Sequence, residues 1–201
     1  MQDELQAIEE NKTWELVPRP SYRKVIGVKW IYKDKFHSNG SLDKYKARLF
    51  SKGYAQKEGV DYDGTFAPTA RYSSIRIVLA LSSHYAWYIY QLDVKSAFLN
   101  GDLEEEVYVE QPQGFYVKGR ETDVYLLKKA LYGLKQAPRA WYQKIDAFLL
   151  SLKFSHTIVD NNLYVLMVDQ DICILVLHVD DLLLIGSSME LIGWVQSQLT
   201  S

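Results

Sequence analysis

Two adjacent aspartates, Asp180 and Asp181, sit between the apolar runs LVLHV and LLLIG. Both flanks are built of strand-forming residues, so the pair falls where a sheet would otherwise continue. Neighbouring carboxylates repel one another and are costly to desolvate. Two readings follow: a sharp exposed turn with both acids in water, or a cation held at the strand ends. A turn of two Asp with neither Gly nor Asn is a poor primed hairpin turn. Asp93 bears on the choice, because it too closes a strand-like segment, YIYQLDV, and is followed by KSAFLNG. Three carboxylates at strand ends of one sheet can converge on a hard dication, since Mg²⁺ and Mn²⁺ take oxygen ligands. Two such ions about 3.5–4 Å apart would clamp the attacking and leaving oxygens of an in-line phosphoryl displacement. The pattern points to polymerase or cyclase chemistry.

Such chemistry needs a polyanionic partner, and the net charge of -2 over 201 residues argues against one. The distribution reverses that inference. Residues 19-57 carry eleven bases and two acids, and residues 124-153 carry six bases and one acid. Residues 1-18, 58-123 and 154-201 are each net acidic. The basic blocks are either solvated faces or phosphate-binding surfaces. With 48% hydrophobic and 24% charged residues the composition is that of a globular chain with a packed core. Cys173 has no partner for a disulfide, lies in an apolar strand, and reads as inert core.

Periodicity places the elements. Residues 3-10 predict a short amphipathic helix ending near Asn11. The stretch from Val25 to Phe36, the turn Ser38-Asn39-Gly40 and LDKYKARLFSKGY predict a two-stranded ribbon. Alternation puts Lys44, Lys46 and Arg48 on one face, with Lys52 a candidate fourth, and Tyr45, Ala47 and Leu49 on the other. Residues 56-70 read as a loop, and Ser73 or Ser74 as the cap of a helix whose buried face carries Ile75, Val78, Leu79 and Ser82. Strands YIYQLDV, EVYVEQ and DVYLL follow, then a helix from about Pro138 to Leu152. Strands LYVLMV, ICILVLHV and LLLIG and a C-terminal helix complete the chain. Trp14, Trp30, Trp87 and Trp141 read as packing residues, and Glu104, Glu105 and Glu106 as a solvated loop or strand edge. His84 and His156 show no partner.

The segments NKTWELVPRP, IGVKWIYKDKF, YKARLFSKGYAQKEGVDYDGTFAP, YQLDVKSAFLNGDLEEEVYVEQPQGF, LKKALYGLKQAPRAWYQKID and LHVDDLLLIGSS, in this order, closely resemble the reverse transcriptase of copia-type long-terminal-repeat retrotransposons. The resemblance covers essentially the whole chain. It implies an α+β fold: right-hand polymerase fingers and palm, with a ferredoxin-like antiparallel palm sheet and helices on one face. Residues 1-86 would be mostly fingers and 87-201 mostly palm with a fingers-like insertion. The thumb and RNase H of the family fall outside the chain.

The resemblance also implies roles. Asp93, with the Val94 carbonyl, and Asp180 would ligate two Mg²⁺ or Mn²⁺ ions, with Asp181 in support. Phe98 would lie under the sugar and exclude a ribose 2′-OH. Lys46 and Arg48 would hold the triphosphate, and Tyr132, Gly133 and Gln136 would back the nucleotide, Gly133 by allowing close backbone approach. Lys135, Pro138, Arg139 and His178 would meet primer and template; the family carries Tyr where this chain has His178.

The implied partners are an RNA template, a DNA primer, deoxynucleoside triphosphates and the remaining polymerase and RNase H portion of a Pol polyprotein. The N-terminal MQDELQAIEENK lacks a basic or apolar leader, and the apolar run from Ile172 to Ile185 is shorter than the ~18 residues of a membrane span. The expectation is an intracellular chain with no membrane partner. The alternatives are a remnant that binds nucleic acid without catalysis and a non-functional relic. A nucleotide cyclase shares the paired-acid logic but leaves YGLKQAPRAW without a purpose.

Overall fold

The structure is a computed structural model that describes residues 1–200. Its helices are α1 (Gln2–Glu10), α2 (Tyr72–Tyr85), α3 (Ala137–Ser151) and α4 (Met189–Leu199). Its strands are β1 (Trp14–Val17), β2 (Val25–Ile26), β3 (Val28–Phe36), β4 (Leu42–Ser51), β5 (Tyr88–Asp93) and β6 (Asp102–Val109), then β7 (Val124–Lys129), β8 (Ser155–His156), β9 (Leu163–Val168), β10 (Asp171–His178) and β11 (Asp181–Gly186). They form two compact units: Met1–Phe66 with Ser96–Lys144, and Ala67–Lys95 with residues 145–200.

The first unit holds a four-stranded sheet in the order β1-β7-β6-β2, with β2 parallel to β6, and the separate β3-β4 ribbon. Gly27 interrupts the strand expected from Val25 to Phe36 and divides β2 from β3; its carbonyl accepts from Lys52 N at 2.8 Å. The ribbon turns at Asn39-Gly40, where Gly40 takes φ +83° and Asn39 Oδ1 accepts from Ser41 N. Its register sets Lys33 opposite Lys46, Lys35 opposite Lys44, Arg48 opposite Ile31 and Lys29 opposite Phe50, so six cations share one face. Ile8, Ile26, Leu49, Leu99, Val107 and Leu131 are among the buried residues of the core. Trp14 packs beside them, stacked on Tyr125.

Gly133 anchors the ribbon base. Ser51 N donates to Tyr132 O at 2.7 Å, and Gly133 stands at φ +90°. A Cβ at Gly133 would lie 2.3 Å from Ser51 O, and one at Gly53 would lie 1.9 Å from Gly133 O. The backbone at Gly133 therefore approaches the end of the ribbon closely.

In the second unit, five antiparallel strands run in the order β5-β11-β10-β9-β8. Helices on one face were expected, but they cover both. Val78 of α2 clusters with Ile174, Val176 and Ile185. Gly186, whose side-chain position points to the opposite face, meets Ile192 of α4. The reason is composition: β10 is apolar on both faces, so each needs a cover. Cys173 is fully buried, and burial pushes its thiol up to about 12.

Neither Ser73 nor Ser74 caps α2; both lie inside it. Asp160, 6% exposed, accepts instead from Arg71 N (2.9 Å) and Ser74 Oγ (2.7 Å) on Oδ2, and from Asn162 N (3.0 Å) on Oδ1. Leu79, expected on the buried face, is exposed, and Ser74, Val78 and Ser82 are buried.

Gly133→Ala should cost about 2–4 kcal/mol through the left-handed backbone and the Ser51 overlap. Thermal denaturation should show it as a midpoint lowered by roughly 5–15 °C. A second prediction concerns pH. Burial pushes the Asp160 carboxyl up, but hydrogen bonds from Arg71 N, Ser74 Oγ and Asn162 N and the Arg71 charge outweigh it and hold it below 3.8. Stability from such a group is complete above the unfolded pKa and is lost as pH falls through the folded one. Wild-type and Asp160→Asn chains should therefore differ in urea midpoint at about pH 6 and converge as acid protonates Asp160.

Candidate active site

In the second unit, β11 pairs with β5 in a register that sets Asp181 opposite Asp93, and with β10 so that His178 lies opposite Asp181. Directly opposed residues share a face with Cβ atoms about 4.5–5.5 Å apart, so His178, Asp181 and Asp93 form one row across three strands. Gln91 Nε2 donates to Asp181 Oδ1 at 3.3 Å. Asp180 occupies the turn before β11, and its carbonyl accepts from Val94 N at 3.0 Å.

The turn is unusual in its backbone. Val179 has φ 60°, and its N–H donates to Pro68 O at 2.7 Å. A β-branched residue in this region costs on the order of 1–3 kcal/mol, so surrounding contacts must hold it there. The feature that made Asp180-Asp181 a poor primed turn is resolved by Val179, which takes the positive φ itself.

The donor set suits a hard dication. Among the described residues no group of three or more His, Cys, Asp or Glu side chains is placed to hold a metal ion. Mg²⁺ is bound through one or two carboxylates, with water and substrate phosphate filling the other positions. Asp93 and Asp181 in register, with Asp180 on the adjoining turn, are carboxylates of the kind such an ion takes.

In the first unit, the Arg48 guanidinium lies 4.8 Å from the centre of the Tyr132 ring. Phe98 and Phe50 pack on the same ring, at 4.9 and 5.6 Å between centroids. Behind the ribbon, Glu4 is buried and accepts from Leu49 N at 3.3 Å. Burial pushes its carboxyl above the ordinary 4.5, against the Leu49 hydrogen bond and the charges of Arg48 and Lys46. Lys46, Arg48, Phe98 and Tyr132 therefore belong to one neighbourhood.

Gln136 is 2% exposed and fully engaged: it accepts from Gln56 Nε2 at 2.9 Å and donates to Asp61 O at 3.1 Å. Gln56 Oε1 in turn accepts from Lys135 N at 2.8 Å, while the Lys135 residue is exposed. Arg139 lines a pocket of about 140 Å³ with Asp63, Asp102, Glu104 and Glu105. Pro138 follows Ala137 in the first turn of α3. Gln56, Glu4, Gln91 and Asp160 carry no motif that sequence reasoning could have found. His156, expected without a partner, pairs through Nε2 with Asp146 Oδ1 at 2.9 Å.

This α+β chain belongs to the reverse transcriptase family: the family model for reverse transcriptase (RNA-dependent DNA polymerase) matches residues 11–201. Within that family it is similar to Pol polyproteins of transposons. It is 46% identical over 193 residues to the retrovirus-related Pol polyprotein from transposon RE1 of Arabidopsis thaliana, covering 96% of this chain and 13% of that protein. It is 43% identical over 201 residues to the corresponding polyprotein from transposon TNT 1-94 of Nicotiana tabacum, covering 100% of this chain and 15% of that protein. A Ty1-H Gag-Pol polyprotein of Saccharomyces cerevisiae is 34% identical over 140 residues, 69% of this chain and 8% of that protein. The chain thus spans a small fraction of the length of each relative. No helix among the described residues is long and apolar enough to cross a membrane.

Proposed function

We propose that the chain is the fingers and palm of a retrotransposon reverse transcriptase, extending a DNA primer on an RNA template from deoxynucleoside triphosphates. The observation that carries this reading is the register that sets Asp93 opposite Asp181 beside Asp180. The first unit supports assignment as fingers through its basic ribbon, and the second as palm through its acid-bearing sheet.

In the reaction the primer 3′-OH gives up its proton to solvent, its oxygen bonds to the α-phosphorus, and the bond from that phosphorus to the bridging oxygen breaks, releasing pyrophosphate. Asp93, with the Val94 carbonyl, and Asp180 would hold two Mg²⁺ or Mn²⁺ ions, with Asp181 in support. When bound, such ions lower the pKa of the 3′-OH and neutralise charge on the leaving group. The residues of the chain orient the partners. Arg48 can take phosphate oxygens bidentately, and the Tyr132 ring beneath it restricts its rotamers. Lys46 adds positive charge on the same ribbon face. Phe98, braced by Tyr132, would sit under the sugar. Gly133 and Gln136 act from behind, fixing Tyr132 and the loop against which the nucleotide would rest. Lys135, Pro138, Arg139 and His178 would meet primer and template.

The six cations on one ribbon face also favour a second reading, a remnant that holds nucleic acid without extending it. Primer extension on an RNA template separates the two. Asp93→Asn or Asp180→Asn should lower the extension rate by about a thousandfold or more while leaving template-primer affinity within a few-fold. Undiminished extension by either variant would sink the acid assignment. Phe98→Ala should raise ribonucleotide incorporation relative to deoxynucleotide by roughly tenfold or more. Unchanged sugar selection would remove Phe98 from that role.

A further inference from the structure

We propose that Asp160 is a positioning residue for the acid-bearing turn, holding Val179 in its left-handed conformation through the segment from Pro68 to Arg71. The inference rests on the polymerase reading for the purpose of the turn, but the contacts stand apart from it.

Val179 N–H is held by Pro68 O at 2.7 Å, and Thr69 bridges to His178. Residues 67–70 form neither helix nor strand beyond that bridge, so the position of the Pro68 carbonyl depends on how the segment is tied down. Ala70 is buried in the core beside Ile174 and Val176. The next residue, Arg71, donates its N–H to Asp160 Oδ2, and Ser74 Oγ donates to the same oxygen. The other carboxylate oxygen accepts from Asn162 N, and Asn162 O accepts from Leu177 N at 2.8 Å. One buried carboxylate therefore fixes both approaches to Val179: the Pro68 segment through Arg71, and the end of β10 through Asn162 and Leu177. An apolar residue would supply no acceptor, and an amide would present its NH₂ group to one set of donors. Asp160 lies outside the Asp93, Asp181 and His178 row, so its effect on chemistry would be transmitted through the backbone of the turn.

The test measures amide hydrogen exchange, residue by residue, in the folded chain of 201 residues. Asp160→Ala should speed exchange at Val179 by about tenfold or more while Leu175, in the middle of β10, stays protected. Leu149→Ala, a buried substitution elsewhere in the same unit, should lower overall stability without singling out Val179. If Asp160→Ala does not fold, Asp160→Asn takes its place, with the same expected selectivity at Val179 or Leu177. Exchange at both amides unchanged in a folded Asp160 variant, or speeded no more selectively than in Leu149→Ala, overturns the proposal. In primer extension, Asp160→Asn should raise the Mg²⁺ concentration for half-maximal rate by roughly tenfold with template-primer affinity unchanged. A wild-type chain that does not extend primers would refute the polymerase reading and leave the exchange result to decide the role of Asp160.

Discussion

The pairing register of β5 on β11 is the constraint on which the candidate site depends. Side chains alternate along a strand, so a slip by one residue would turn Asp181 to the opposite face and set Leu92 or Val94 beside it in place of Asp93. The apolar residues enforce the register. Leu182 and Leu184 are buried on one face and Ile185 on the other, and each would be displaced by the same slip. The positions of the acids thus follow from burial of residues that have no part in chemistry. Val94 N–H to Asp180 O carries the pairing beyond the last strand residue and ties the turn to β5.

The first unit achieves order by a different route. Its ribbon is joined to the segment after β7 by main-chain contact at Ser51, Gly53 and Gly133, and by a chain of amides from Gln136 through Gln56 to Lys135 N. These contacts fix the Tyr132 ring, on which Arg48 and Phe98 both depend for their placement. Of the residues expected to touch a nucleotide, Arg48 and Phe98 pack on the Tyr132 ring, while Gly133 and Gln136 make contacts to the ribbon and to Gln56 and Asp61.

Local patterning was enough to recover the ribbon, β10, β11 and the three acids. Asn39-Gly40 between alternating segments specifies a hairpin, and adjacent aspartates inside apolar strands are conspicuous because they conflict with their surroundings. β1 and β8 escaped because four and two residues are too few to display a period. The resemblance implies helices on one face of the second sheet, whereas β10 is apolar without alternation, which is the pattern of a strand buried on both sides. The supporting polar contacts were beyond reach for another reason. Gln56 and Gln136 are 80 positions apart, and Arg71 and Asp160 are 89 apart. Neither residue of such a pair carries a mark of its partner.

The ribbon register has a further consequence. Lys33 faces Lys46 and Lys35 faces Lys44, and like charges directly opposed across a hairpin repel. The face that suits phosphate thus works against the pairing that builds it. A polyanion laid along these side chains would offset that repulsion, so the hairpin would be more rigid with such a partner than without it. Dissolved salt supplies part of that relief by screening, while competing for the polyanion. Ionic strength would therefore tighten the ribbon and weaken its attraction for a polyanion, two effects of opposite sign arising from the same four lysines.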